Sequence, residues 1–295
     1  PKPQHVAPRA VRAVCQALSG VAPPLAARLA ADLFCRTRPR RVRPAEREIL
    51  GRARHLELPS VRRRLVAHAW GRGPIVLLHH GWSGNAAQMT AFVDPLVTAG
   101  FTAVALDARG HGSSAGRSSS FVAMVADALA WVDHLGEVRA MIGHSMGAMV
   151  TARVLDRSEV DQAVLLCPPA ELAVYSELFA RAMGFGERAH AGMVRYFERT
   201  HDVRWPEISA EHLPPDRPVP ALVVYDRDDH DAPPEHAERW VRAWNGPVDT
   251  LRTEGLGHRQ VLRDNGVQQA CADWLVGRSP AVERADRQGD AASGA

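Results

Sequence analysis

The chain has 295 residues, 46% hydrophobic and 23% charged, an ordinary globular balance with length enough for a substantial core. A net charge of +3, with Lys2 the only lysine, is too small to imply a nucleic-acid partner, and no apolar run reaches the roughly 18 residues of a membrane-spanning helix. Cys15, Cys35, Cys167 and Cys271 lack the paired spacing of a zinc or redox motif and read as buried thiols. The cytoplasm is the expected compartment, although the chain starts at Pro1 and a removed leader stays open.

Residues 1–36 read as two short helices, broken by Gly20 and the Pro23-Pro24 pair. Leu25, Leu29, Leu33 and Phe34 recur at helical spacing on one face of the second. Such a pair is expected to flank the main domain, or else to make a homodimer or a peripheral membrane contact. From Arg36 to Arg64 there are eleven arginines against three glutamates. A solvated basic edge accounts for this run; a phosphate-bearing substrate or an anionic surface is the alternative. Residues 1–59 are therefore expected to form a helical, Arg-rich extension.

From residue 60 strand and helix patterns alternate, which predicts a parallel sheet covered by helices on both faces over 60–277. Strands are predicted at 65–70, 74–78, 101–106, 162–166, 220–225 and 248–253. Helices are predicted at 86–98, 121–135, near 235–244 and at 267–275. Residues 170–216 break the rhythm with irregular helical segments carrying Tyr175, Phe179, Phe185, Tyr196, Phe197 and Trp205, and predict a cap over a site. Residues 278–295 lack periodicity and are expected to form a disordered tail.

The stretch from Val138 to Val150 organises the rest. A short apolar strand runs into Gly143-His144-Ser145-Met146-Gly147, and a small-residue helix follows. This is the layout of a nucleophile elbow. The sharp turn strains the serine backbone, glycines keep the flanks clear of neighbouring strands, and the helix N-terminus faces whatever negative charge forms beside Ser145. A serine hydroxyl needs a base to take its proton, and the base needs an orienting carboxylate. His258, in a glycine-loosened loop after the last strand, is the candidate base. The candidate acid lies in Asp226-Arg227-Asp228-Asp229-His230-Asp231. Asp229 is favoured by its distance past the strand and the following proline, with Asp226 second. Asp228 and Asp231 suit turn capping. Asp229-His230-Asp231 has no matching ligands elsewhere, so no metal is expected. The loop His79-His80-Gly81-Trp82-Ser83-Gly84 supplies one oxyanion donor, the Trp82 N–H, and Met146 N–H is the other. Trp82 and His144 are expected to line the substrate pocket, and His80 to hydrogen-bond its loop.

His80-Gly81-Trp82, Asp107-x-x-Gly110-His111-Gly112, Gly143-His144-Ser145-Met146-Gly147 and Gly257-His258, in this order, resemble the α/β-hydrolase superfamily of serine hydrolases. The resemblance covers roughly residues 60–277. It implies a mostly parallel eight-stranded sheet, a helical cap after the sixth strand, and a Ser-His-Asp mechanism without a cofactor. A serine nucleophile, not an aspartate, argues against haloalkane dehalogenase or epoxide hydrolase chemistry. The expected activity is hydrolysis of a carboxylic ester with a small or medium apolar acyl group. A thioesterase or acyltransferase is the runner-up, and a ligand-binding protein on a hydrolase scaffold the alternative from another class.

Overall fold

The computed structural model describes residues 6–59, 64–277 and 283–284. Helices α1 (Arg9–Val21), α2 (Pro23–Phe34) and α3 (Pro44–Gly51) lead into strands β1 (Arg54–Pro59), β2 (Arg64–Trp70) and β3 (Ile75–His79). A 3-10 segment, Ala86–Phe92, continues into α4 (Val93–Thr98), then β4 (Thr102–Asp107), α5 (Phe121–Leu135), β5 (Val138–His144), α6 (Met146–Leu155) and β6 (Gln162–Leu166). α7 (Ala173–Met183) and α8 (Glu187–His201) precede β7 (Ala221–Asp226), α9 (Pro234–Ala243) and β8 (Val248–Thr253). The short α10 (Gly257–Gln260), then α11 (Asn265–Leu275) and β9 (Glu283–Arg284), complete the described chain.

The strands form one sheet in the order β1-β2-β4-β3-β5-β6-β7-β8-β9. β3 to β8 run parallel, while β1 with β2, β2 with β4 and β8 with β9 are antiparallel. The expected eight strands become nine through β9, which adds two residues of the predicted tail to the sheet edge. The remainder of that tail lies outside the described residues. β1 corrects the expectation of a wholly helical 1–59: Leu56 and Leu58 alternate with polar residues, and the strand is half-buried where it closes the edge of β2. In β6, Ala163 and Leu165 face one core cluster while Val164 and Leu166 face the other. Helices cover both faces, so the central strands are continuous apolar runs. The predicted helix over 86–98 forms as two joined pieces. No helix among the described residues is long and apolar enough to cross a membrane.

A third cluster is separate from the sheet. Cys15, Ala26, Ala30 and Ala31 pack with Ala180, Phe185, Ala189 and Met193, so α1 and α2 share a core with α7 and α8. The N-terminal hairpin is thus half of a four-helix cap. α2 half-buries the predicted face, packing Leu29, Leu33 and Phe34 against this cluster. Its buried side is Ala26, Ala27, Ala30 and Ala31, and Leu25 is exposed. The reason is close approach to α8: a Cβ on Gly192 would stand 2.6 Å from the Ala27 Cβ, a separation that only small side chains permit.

The Arg-rich stretch is a strap rather than a free edge. Thr37 Oγ1 donates to the Gly110 carbonyl (2.6 Å), the Arg38 N–H to Ser83 Oγ (3.2 Å) and Arg40 to Asn85 Oδ1 (3.0 Å). Arg40 also pairs with Glu46, and Arg64 with Glu57.

Candidate active site

β3, β5, β6, β7 and β8 all end on one edge of the sheet, where a parallel fold gathers its loops. Ser145 follows β5 with φ 55° and ψ −123°, a region that costs a non-glycine residue of order 1–3 kcal/mol. The surroundings enforce it. The Ser145 N–H donates to the Leu166 carbonyl (2.9 Å). A Cβ on Gly147 would sit 2.4 Å from the His79 carbonyl oxygen, and one on Gly143 2.2 Å from that of Gly147. Both positions therefore exclude any side chain.

The serine, acid and histidine of the sequence meet here. Ser145 Oγ lies 2.9 Å from His258 Nε2, and His258 Nδ1 lies 2.7 Å from Asp229 Oδ2. A carboxylate only accepts, so Nδ1 carries the proton, and Nε2 is left to accept from the serine hydroxyl. Burial pushes the Asp229 carboxyl upward, but hydrogen bonds from His258, Ala232 and Asp231 outweigh it and hold the group below its usual range. Asp229 Oδ1 takes the N–H groups of Asp231 and Ala232, each at 2.8 Å. Asp226, the alternative acid, bonds elsewhere: to the Thr253 hydroxyl (2.7 Å), the Leu256 N–H (3.0 Å) and the Asp228 N–H (2.9 Å). It fastens the acid loop to the histidine loop.

Gly81 brings the β3 loop against the elbow, since a Cβ there would stand 3.1 Å from the Ser145 Cβ. Neither the Trp82 N–H nor the Met146 N–H donates to an acceptor among the described residues. The Trp82 ring is half-buried and meets His111 edge to face at 5.5 Å. His80 accepts the Ala108 N–H at Nε2 (3.2 Å) and donates from Nδ1 to the Gly81 carbonyl (2.7 Å). His111 Nε2 accepts the Ser83 N–H (3.1 Å). Asp107 takes the N–H groups of Ala86 (2.6 Å) and Ser113 (2.7 Å). The Asp107 to Gly112 motif is thus scaffolding for the neighbouring loop.

His144 does not line a pocket. It is 2% exposed, and its Nε2–H donates to the His258 carbonyl at 2.8 Å. Burial, with the nearby His258, drives its pKa down to about 3. It stays a neutral donor that holds the backbone of His258. Two further residues carried little signal in the sequence. Cys167 directly follows β6 with φ 47°, and its Sγ lies within 4.8 Å of ligand-type atoms of Asp229 and His258. Its strand-end position before Pro168 was the only available hint. The Tyr175 hydroxyl on α7 donates to the Asp231 carbonyl (2.6 Å), tying the cap to the acid loop. Cys167, Asp229 and His258 are the one metal-ligand grouping among the described residues, but the histidine and carboxylate in it are committed to each other. A groove lined by Ile49, Asp94, Arg263 and Gln268 includes none of these residues.

A family model described as serine aminopeptidase, S33, matches residues 72–201, from just before β3 through the elbow to the end of α8. Over these residues the chain resembles the α/β-hydrolase clan of serine hydrolases. It is 36% identical over 114 residues, 37% of its length, to a non-heme haloperoxidase of Rhodococcus erythropolis. This stretch is 42% of that protein, and the chain spans less than half the length of the curated relatives it matches. Among solved structures, the esterase Est1E of Butyrivibrio proteoclasticus, with ferulic acid bound, superimposes with TM-score 0.60 at 18% identity, over 76% of this chain and 98% of that one. The esterase Pf2001 of Pyrococcus furiosus gives 0.60 at 18% identity, over 82% and 96%. These two likenesses show that the chain has the α/β-hydrolase fold.

Proposed function

We propose that this α/β-hydrolase cleaves a carboxylic ester through an acyl-enzyme. The carrying observation is the unbroken relay from Ser145 Oγ through His258 to Asp229, at 2.9 and 2.7 Å. As Ser145 Oγ attacks the ester carbonyl carbon, His258 Nε2 takes the hydroxyl proton, and Asp229 stabilises the resulting imidazolium. The Trp82 and Met146 N–H groups, which donate to no acceptor among the described residues, hold the oxyanion. Collapse breaks the C–O bond, and His258 returns the proton to the leaving alcohol. Water, deprotonated by the same nitrogen, then releases the acid. The apolar face of Trp82 suits a small or medium acyl group.

A thioester substrate is favoured by one observation. The strap bearing exposed Arg36, Arg38 and Arg41 is fastened to Ser83 and Asn85 of the oxyanion loop, a location suited to the phosphates of a carrier thiol. Matched oxygen and sulfur esters, with and without a phosphate-bearing leaving group, separate the two. The deciding test is labelling by a fluorophosphonate with peptide mapping, alongside p-nitrophenyl esters of graded length. Modification of Ser145 with a chain-length optimum is expected. A folded chain that neither labels nor turns over any of these esters is a binding protein, and the proposal fails.

A further inference from the structure

Seven large apolar side chains are exposed among the described residues, and five of them, Val6, Val11, Val14, Val21 and Leu25, fall between residues 6 and 25. On α1, Val11, Val14, Leu18 and Val21 recur at spacings of three and four, so they form one stripe along the helix. Val14 is 64% and Val21 88% exposed, whereas Cys15 and Ser19, to one side of the stripe, are the buried residues that seat the helix on the cap. The basic residues Arg9, Arg12 and Arg28 are exposed on the same hairpin, and the first acidic residue in the chain is Asp32. An apolar stripe on a hairpin that carries three arginines and no carboxylate from residue 6 to residue 31 matches one kind of partner best, a lipid surface carrying negative headgroups. A second copy of the chain would bring arginines against arginines.

We propose that the α1–α2 hairpin is a membrane-docking surface, which seats the cap on anionic bilayers with α1 lying in the interfacial plane. At 13 residues and about 1.5 Å per residue the helix is too short to span a hydrocarbon core of about 30 Å. The hairpin is fixed to the cap and does not hang from it. The Ala7 N–H donates to the Ala182 carbonyl (3.0 Å), the Gly186 N–H to Ser19 Oγ (3.1 Å), and α2 meets α8 through Ala27 and Gly192. Tyr175 continues the connection to the acid loop. Docking therefore presents the cap, and the site associated with it, to acyl chains in the bilayer. This last step rests on the hydrolase function proposed above, whereas the docking itself does not.

The experiment is flotation of the full chain with vesicles of phosphatidylcholine alone or with one third phosphatidylglycerol, at low and high salt. Three arginines at about five-fold each predict about 100-fold stronger binding to the anionic vesicles, weakened by salt. Val14→Glu/Val21→Glu is expected to lower that binding at least about ten-fold, and Arg9→Glu/Arg12→Glu to remove the preference for phosphatidylglycerol. Both pairs are at the surface, and both variants are expected to keep the native melting temperature and native turnover of soluble p-nitrophenyl acetate. Ser145→Ala, inert as a hydrolase, is expected to float like the native chain, which separates docking from catalysis. Absence of the folded native chain from both vesicle types overturns the proposal, as does binding that survives Val14→Glu/Val21→Glu. So does a dimer by light scattering that this variant dissociates without any vesicle binding.

Discussion

The sheet and the cap bury apolar surface in opposite ways. In the sheet, β3, β5, β6 and β7 are filled with large branched side chains facing two clusters, and Trp131, Trp240 and Trp244 are fully enclosed. In the cap, the shared core is largely alanine, with Phe185 and Met193 as its bulk, and α1 keeps most of its surface exposed. A parallel sheet covered on both faces leaves its strands no contact with water, so size and branching dominate there. Helices that cross closely need small residues at the contact and leave the rest of each helix free for other partners. The rigid half holds Ser145, Asp229 and His258. The loosely buried half meets it through side-chain contacts such as Tyr175 to Asp231.

The largest break between the two halves is expected from Ser145→Ala. It should lower kcat by about 10⁶ while the thermal melt stays within a degree or two, since the residue adds no packing. Asp229→Asn follows, with a loss on the order of 10⁴ in kcat. Asp226→Asn is expected to do the reverse, lowering stability by about 1–3 kcal/mol by weakening the bonds to Thr253, Leu256 and Asp228, with a smaller loss of turnover. If Asp226→Asn costs more turnover than Asp229→Asn, the two carboxylates have exchanged roles. Leu165→Ala in β6 is expected to cost about 2–5 kcal/mol in a single cooperative denaturant transition, because the sheet cannot close over the cavity.

Acidification tests the same contrast by charge. Burial lowers the pKa of His79 to about 4 and of His144 to about 3, and lowers those of His80 and His111 as well. Between an unfolded value near 6.5 and these folded values, the unfolded chain binds more protons. Stability therefore falls as pH drops below about 6.5, by about 2 kcal/mol at pH 5 for each of His79 and His144. Denaturant titrations at pH 7.5 and 5 check this, and an unchanged midpoint would falsify the neutral, buried state of these rings. The smallest effect is expected from Gly192→Val, about 1–2 kcal/mol, read as faster hydrogen exchange in α2 and α8 with exchange in β5 and β6 unchanged. Faster exchange throughout would mean that the cap and sheet open as one unit.

What the sequence determined by itself was local. The strand at 162–166, the helix at 121–135 and the elbow around Ser145 were legible because the apolar rhythm and the glycine spacing are short-range consequences of backbone sterics. The order serine, acid, histidine also singled out His258. Tertiary structure decided what depends on distant neighbours. Asp226 and Asp229 are both carboxylates after one strand, and only the position of His258 and of the loop around Leu256 separates their bonds. His144 looked like a pocket residue until the His258 carbonyl fell 2.8 Å from its ring. Pairing Ala27 with Gly192 across 165 residues made a flanking hairpin half of the cap, and left Leu29, Leu33 and Phe34 only partly buried against its core. Alanine in a helix reports only helical propensity; that it is buried here follows from how closely the second helix approaches.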